Sequence, residues 1–498
     1  MKLKFPPILI KIVLVIIVFT LTFLIYFNTL TTDIGWSDSA ELALQAFQLG
    51  VTHPPGYPIH SMLGYFLIIF FNEPYHATTF LSAFCTSLTS GVLCLTILEL
   101  TKNPIISFLS PFIFAFIPNI WDTAVVTEIY NVNILFISIS IYLIIQWKRC
   151  QKTILLLLSA CLYGISLGTN LGNLLILPAF LFFIYLQRDK KVQNLTIYLL
   201  IIGAFGIPIL SFSILRSSTS APLGTQYLPT SFSGAIKYFT GYQYGTLSIR
   251  DRFFYYNRTI QHSQIILKNL LYVGFIFALL GGYNQFRKDR SISLFMLLMF
   301  LLNLGYFTYY PVRDYSVMVA PAYYFLTIWI AFGFDFLYQE TSEYPLSLFR
   351  IGFVVCLLLF ILYPLQSQYD KRLDRKDRNR AEIFSKESFE IFPPDAAILG
   401  NWSVVTTLLY FQKTQNLRSD LLIMECTSKP RTYAHGEIDN CLDYIENAFG
   451  SKPIIIEDRY LNLLSEKYSF IQLSKNWFVI DKKNTGGITW MIKRSAGK

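Results

Sequence analysis

The sequence predicts a mainly α, polytopic transmembrane helical bundle followed by a small C-terminal α/β domain. Three observations carry this. Hydrophobic residues make up 53% of the 498 residues and charged residues only 14%, with a mean hydropathy of +0.45, too apolar for a string of water-soluble domains. Apolar stretches long enough to cross about 30 Å of hydrocarbon as helices recur from Ile8 to Leu365. From Gln366 onward the chain turns charged and mixed, so the boundary is drawn between a membrane domain at 1–365 and a soluble domain at 366–498.

The pattern places about eleven spans, near 8–30, 76–100, 104–119, 129–147, 153–168, 171–187, 195–215, 266–283, 291–308, 315–338 and 348–365. The first follows Lys2, Lys4 and Lys11 with no small-residue cleavage site after it, so it is expected as a retained anchor with its basic end in the cytoplasm. Ile59–Phe71 is apolar but short, and is expected as a re-entrant or interfacial helix.

Orientation follows from charge. Lys102, Lys148/Arg149/Lys152, Arg188/Lys190/Lys191 and Arg287/Lys288/Arg290 fall on the N-terminal side, whereas 31–58 and 119–128 hold no Lys or Arg. This positive-inside pattern puts the soluble domain outside, in a protein integral to the plasma (inner) membrane. The loop at 216–265 dissents with five basic residues, which would suit an anionic lipid headgroup on the outer side.

In the soluble region, the charged stretch Tyr369–Phe392 reads as helical. Ala396–Gly400, Ser403–Gln415, Asp420–Cys426, Pro453–Glu457 and Trp477–Asp481 then alternate strand-like and helix-like patterns. Of seven cysteines only Cys426 and Cys441 share this region, and spacing alone leaves open whether they pair. The net charge of +10 comes from short basic clusters between spans, which excludes a nucleic-acid partner. No Walker-type glycine loop, His-Glu-x-x-His zinc pattern or nucleophile elbow occurs.

The chemistry is expected on the outer side. After the first span runs Trp36-Ser-Asp38-Ser-Ala-Glu41, then His53-Pro-Pro-Gly-Tyr57-Pro58. Asp38 and Glu41, three apart, share a helix face and could address one substrate as proton acceptors, with His53 and Tyr57 held beside them by a rigid turn. The competing reading is a capping box, Asp38 as N-cap with Glu41 reaching back to free amides. Glu128, Tyr130 and Asn131 form a second membrane-edge group, for which helix-start acids are the alternative. Arg216 and the Tyr-rich loop after it suit phosphate and sugar oxygens, against snorkelling and an interfacial aromatic belt. Arg313-Asp314, after Tyr309-Tyr310, pairs a cation with an acid, for which a local salt bridge is the plain account.

The first-loop run and His53–Pro58 resemble a membrane family of the DUF2723 type, related to the GT-C glycosyltransferases and including protein O-mannosyltransferases. Looser matches are Glu128-Ile-Tyr130-Asn131, the Gly164–Pro178 stretch, Arg216-Ser with Pro222, and Asn401-Trp402 through Asp420, so the resemblance covers nearly the whole chain. Thr169-Asn170 stands where Asn-His is expected, and Ala40 replaces a glycine. The resemblance implies a GT-C-like bundle and an inverting transferase. The donor would be a polyprenyl-phosphate-linked sugar, such as a mannose donor, bound from the outer leaflet, and the acceptor a hydroxyl of a protein, glycan or lipid. It implies Asp38 as base, Glu41 as helper, His53 as donor or orienting group and Arg216 as phosphate partner, with Trp36, Tyr57, Glu128, Tyr130, Asn131 and Arg313 among the substrate contacts. It demands no metal and no cofactor. The rival readings are a secondary transporter or lipid flippase, whose acids would sit near the midplane, and a non-catalytic scaffold.

Overall fold

The computed structural model describes residues 7–187, 191–220, 231–241, 252–310, 315–340, 347–376, 379–426, 431–433, 436–438 and 441–482. The chain starts with α1 (Pro7–Asn28), α2 (Asp38–Gln48), α3 (Pro58–Ile68) and α4 (Pro74–Thr101). Proline opens α3 and α4 at the first helical positions, where its missing N–H costs nothing. Helix α1 is apolar beyond Lys11 and largely exposed, only 11% of its central window being buried, as expected of a helix facing lipid. Helix α4 is the opposite case, 83% buried. Its Thr78, Ser82, Thr86, Thr89 and Ser90 donate their hydroxyls to carbonyls one turn back. Small side chains with internally satisfied hydroxyls let neighbouring helices approach an apolar centre.

Among the described residues, seven helices are long and apolar enough to cross a membrane, or nine if each of two bent pairs is one span. The shorter Thr153–Ser166 and Leu171–Tyr185 stand where two further spans are expected. The expected span at 104–119 is Pro104–Ala115 and Pro118–Ala124, bent by 72° just before Pro118. The continuous span expected at 266–283 is corrected: Tyr256–Asn269 meets Val273–Lys288 at 92°, because Leu271 and Tyr272 adopt φ of 52° and 57° and end the first helix. Short helix α3 takes the place expected for Ile59–Phe71.

The boundary expected at 365/366 falls inside one helix, Ser347–Lys376, which carries the apolar span and the charged start of the next region without a break. Helix Arg380–Ile391 then leads into a five-stranded sheet of order β2-β1-β5-β7-β6. Its strands are β1 (Ala397–Gly400), β2 (Leu422–Glu425), β5 (Ile454–Glu457), β6 (Tyr468–Gln472) and β7 (Trp477–Lys482), and β3 (Arg431–Tyr433) and β4 (Gly436–Ile438) form a separate hairpin. β1 runs parallel to β2 and β5, while β7 is antiparallel to β5 and β6. The helix Trp402–Thr414 provides the crossover between the parallel β1 and β2. Cys426 is disulfide-bonded, and the side chain of Cys441 lies outside those described.

This sheet domain does not hang free. Ala40, Ala43 and Leu44 of α2 and Tyr75 of α4 share one apolar cluster with Phe389, Val405, Leu408, Phe411 and Trp477. The Tyr410 hydroxyl accepts from the Tyr75 amide at 3.1 Å, and the Thr406 hydroxyl donates to the Ser37 carbonyl at 3.0 Å. The domain is thereby seated on the start of the first-loop helix.

Candidate active site

Helix α2 does not begin with a capping box. Its N-cap is Ser37, at φ 65°, and makes no side-chain cap bond. Asp38 is the first helical residue, and Glu41 turns inward: its side chain is only 2% exposed and accepts from the His53 amide at 2.6 Å and pairs with His53 Nδ1 at 2.6 Å. The spacing of three does place both acids on one side, and His53 lies between them, its Nε2 4.0 Å from Asp38 Oδ2.

The turn after His53 holds the imidazole in place. The Gly56 amide donates to the His53 carbonyl at 2.9 Å, and the Tyr57 amide to the Thr52 hydroxyl at 2.8 Å. Gly56 sits at φ 86°, and any Cβ there would run into the Tyr238 ring, whose hydroxyl donates to the Thr52 carbonyl at 2.8 Å. The Tyr57 ring meets His53 edge-on at 5.2 Å.

Electrostatics follow from this geometry. Burial disfavours the His53 imidazolium, but the carboxylates of Glu41 and Asp38, with a smaller contribution from Glu128, outweigh it and push the group up to about 9. Burial also raises Glu41 above the ordinary carboxylate range, partly offset by His53. At 2.6 Å the two groups are placed to pair as a carboxylate with an imidazolium. Asp38 differs from Glu41 in being 35% exposed. It accepts from the Trp402 indole N–H at 2.7 Å and from the Ser37 hydroxyl at 3.2 Å.

Asp38 and His53 open onto a cavity of about 370 Å³. Tyr57 and Tyr130 line it, with Asn170, Gly172, Thr240, Tyr306 and Tyr310 adding polar and backbone groups and Leu171, Leu174, Phe307 and Met318 an apolar wall. A few convergent polar groups on an apolar slot suit an amphiphile whose polar head meets Asp38 and His53.

Several expected site residues lie elsewhere. Trp36 stacks edge-on against Phe384 at 5.2 Å and helps seat the sheet domain. Asn131 is buried, donating to the Thr123 carbonyl at 2.6 Å and accepting from its hydroxyl at 3.1 Å, which ties helix Pro118–Ala124 to helix Tyr130–Cys150. Arg216 does not line the cavity: its guanidinium donates to the Leu49 and Gln48 carbonyls at 3.0 and 3.1 Å, at the C-terminal end of α2. Glu128 is half-buried, its amide accepted by Ser82 at 3.1 Å, and its charge is felt at His53. Arg313 lies outside the described residues.

Trp402, Asn170, Tyr306 and Tyr310 were not among the expected site residues. For Trp402 a signal existed, an aromatic directly after the helix-capping Asn401 in a segment already matched to the family; nothing local ties it to Asp38, 364 positions away. Thr169, at the position where the family pattern departs, is buried and donates to Asn133 at 2.9 Å, while neighbouring Asn170 faces the cavity.

Residues 38–193 match the protein O-mannosyl-transferase TMEM260 N-terminal domain. The chain is 26% identical over 328 residues to protein O-mannosyl-transferase tmem260 of Dictyostelium discoideum, covering 59% of this chain and 40% of that protein. It is 24% identical over 428 residues to the TMEM260 protein of Mus musculus, covering 80% of this chain and 60% of the mouse one. The chain thus spans less than two thirds of these curated relatives. Its fold is similar to that of ArnT from Cupriavidus metallidurans, with a TM-score of 0.59 at 10% identity over 93% of this chain and 97% of that one. ArnT bound to undecaprenyl phosphate matches at 0.58, also at 10% identity, over 94% of this chain and 97% of that one. The first-loop motif, the domain match and the fold agree: residues 38–193 are similar to a TMEM260-type N-terminal domain, the chain is similar in sequence to proteins named protein O-mannosyl-transferases, and its fold is that of ArnT.

Proposed function

We propose that the chain is a membrane glycosyltransferase that moves a sugar, mannose being the first candidate, from a polyprenyl-phosphate carrier to a hydroxyl acceptor, with Asp38 as general base. The observation that carries this is the contrast between two neighbouring acids. Glu41 is sealed and committed to His53, whereas Asp38 is partly exposed on the cavity wall and fixed by the Trp402 N–H. A base must reach its substrate, and orienting groups must not move.

In the reaction, Asp38 takes the acceptor hydroxyl proton as that oxygen bonds to the anomeric carbon. The bond from that carbon to the phosphate oxygen breaks, its electron pair leaving with the lipid phosphate. A single displacement of this kind inverts the anomeric centre. The His53 imidazolium supplies positive charge for the departing phosphate, a role expected of Arg216, whose described bonds go to the Gln48 and Leu49 carbonyls. Glu41 holds the His53 ring and its charge. The leucines and Phe307 on the cavity wall would accept the first isoprene units.

The relatives named as protein O-mannosyl-transferases favour a protein acceptor, and the undecaprenyl phosphate held by ArnT favours a polyprenyl carrier. A disulfide-bonded Cys426 supports placing the sheet domain and the cavity in an oxidising, extracytoplasmic compartment, with the N-terminus in the cytoplasm.

The test is transfer from radiolabelled polyprenyl-phosphate sugar by reconstituted protein. Asp38→Asn is expected to lower turnover by about 10²–10⁴-fold, the usual contribution of a positioned base. Trp402→Phe, which keeps the ring and removes the N–H, should lower turnover by a smaller factor with donor binding unchanged. Wild-type turnover in Asp38→Asn would remove Asp38 from the role. Movement of labelled lipid across the bilayer without sugar transfer would instead indicate a flippase.

A further inference from the structure

At the end of α1 and α4 remote from the cavity, three cations converge on one acid. Glu99 of α4, its side chain 8% exposed, accepts from Lys11 Nζ at 3.2 Å and Lys102 Nζ at 2.6 Å, and also from Arg149. Arg149 donates as well to the Glu99 carbonyl at 2.7 Å. One carboxylate therefore neutralises one of three charges, leaving two positive charges at the edge of the bundle. Lys11 and Arg149 are still 38% and 33% exposed.

Beside this cluster an apolar groove of about 600 Å³ runs along the lipid-facing side of α1, between Ile8, Ile12 and Ile16 and Leu95 of α4, with Lys11 and Tyr142 on its wall. Ile8, Ile12 and Ile16 are 69%, 49% and 56% exposed. From residue 8 to residue 16 is about two helical turns, roughly 12 Å along the axis, enough for the upper part of one acyl chain. Charge and shape thus coincide: Lys11 belongs both to the cationic cluster and to the wall of the hydrocarbon slot, an arrangement suited to an anionic headgroup with its acyl chain.

We propose that this groove binds one anionic glycerophospholipid of the leaflet at the N-terminal end of α1. Its phosphate lies among Lys11, Lys102 and Arg149, and an acyl chain lies along Ile8–Ile16. The site is separate from the donor cavity and its occupancy does not depend on the proposed transfer reaction.

The test is native mass spectrometry of the full chain released from nanodiscs containing equal parts phosphatidylglycerol and phosphatidylcholine. Wild type should retain one phosphatidylglycerol in preference to phosphatidylcholine. Lys11→Gln with Lys102→Gln leaves Glu99 paired with Arg149 and should weaken that preference by about 30-fold, the effect of two membrane-surface cations at about 1 kcal/mol each. Ile12→Trp fills the slot while sparing the cations and should reduce retention without altering donor turnover, which also reports that the protein is folded. Equal retention of both lipids by wild type, or an unchanged preference in the double variant, would overturn the assignment.

Discussion

His53 and Glu41 form the pair on which the proposed site turns, and their burial makes pH a probe of it. The His53 folded value of about 9 lies above its ordinary 6.5, so its contribution to stability is complete below about pH 6.5 and is lost as pH rises through about 9. Above that, Glu41 is left ionised and sealed without a cation. The thermal midpoint of the purified protein is therefore expected to fall between about pH 6.5 and 9, and Glu41→Gln to diminish that fall. The same alkaline fall in the Gln variant would dissociate the effect from this pair. His53→Ala, which strands the buried acid at every pH above the Glu41 titration, should cost roughly 3–5 kcal/mol.

Among the described residues the most extensive helix contact is between Val273–Lys288 and Ala320–Glu340, and it rests on two glycines facing opposite backbones. A Cβ at Gly281 would meet the Trp329 carbonyl oxygen, and one at Gly333 the Phe277 carbonyl oxygen. Neither obstacle is a flexible side chain, so the helices themselves must part. Gly333→Ala is expected to destabilise by at least about 1–3 kcal/mol, the usual cost of overpacking. Gly305 has open space around its Cβ position, and Gly305→Ala serves as the neutral control. Thermal midpoints in detergent compare the two; equal values would show that the crossing can relax. Small residues at such a crossing permit close packing where no hydrophobic driving force separates helix from lipid.

At the scale of the whole molecule, the sheet domain and the bundle are joined through α2. Leu408 is fully buried in the cluster that also holds Ala40, Ala43 and Leu44, and Trp402 one turn and a half earlier holds Asp38. Leu408→Ala should cost about 2–5 kcal/mol and lower sugar transfer even at temperatures where the bundle remains folded. Transfer at the wild-type rate in a variant whose sheet domain has measurably loosened would make that domain a passenger.

Much of this protein was legible along the chain. Apolar runs of spanning length identify α1, α4 and their successors because hydrocarbon thickness imposes a length that composition alone reveals. The parallel core strands β1, β2 and β5 were visible as short apolar runs bounded by turns, whereas β6, with its mixed pattern, and the β3–β4 hairpin were not. The first-loop acids and His53 were legible because they lie within sixteen residues of one another on a helix and the turn that follows it. Only the tertiary structure decided how they are used. Local spacing permits Glu41 to cap α2 or to seal against His53, and the choice depends on the turn at Gly56 and on Tyr238 behind it. Arg216 reads equally well as a phosphate ligand, and its bonds to Gln48 and Leu49 come from the placement of two helices that no local pattern encodes. Trp402 reaches Asp38 only because apolar surfaces on α2 and the sheet domain bury each other. Periodicity reports which face of an element seeks cover, while the partner that provides it is selected by packing of the whole chain.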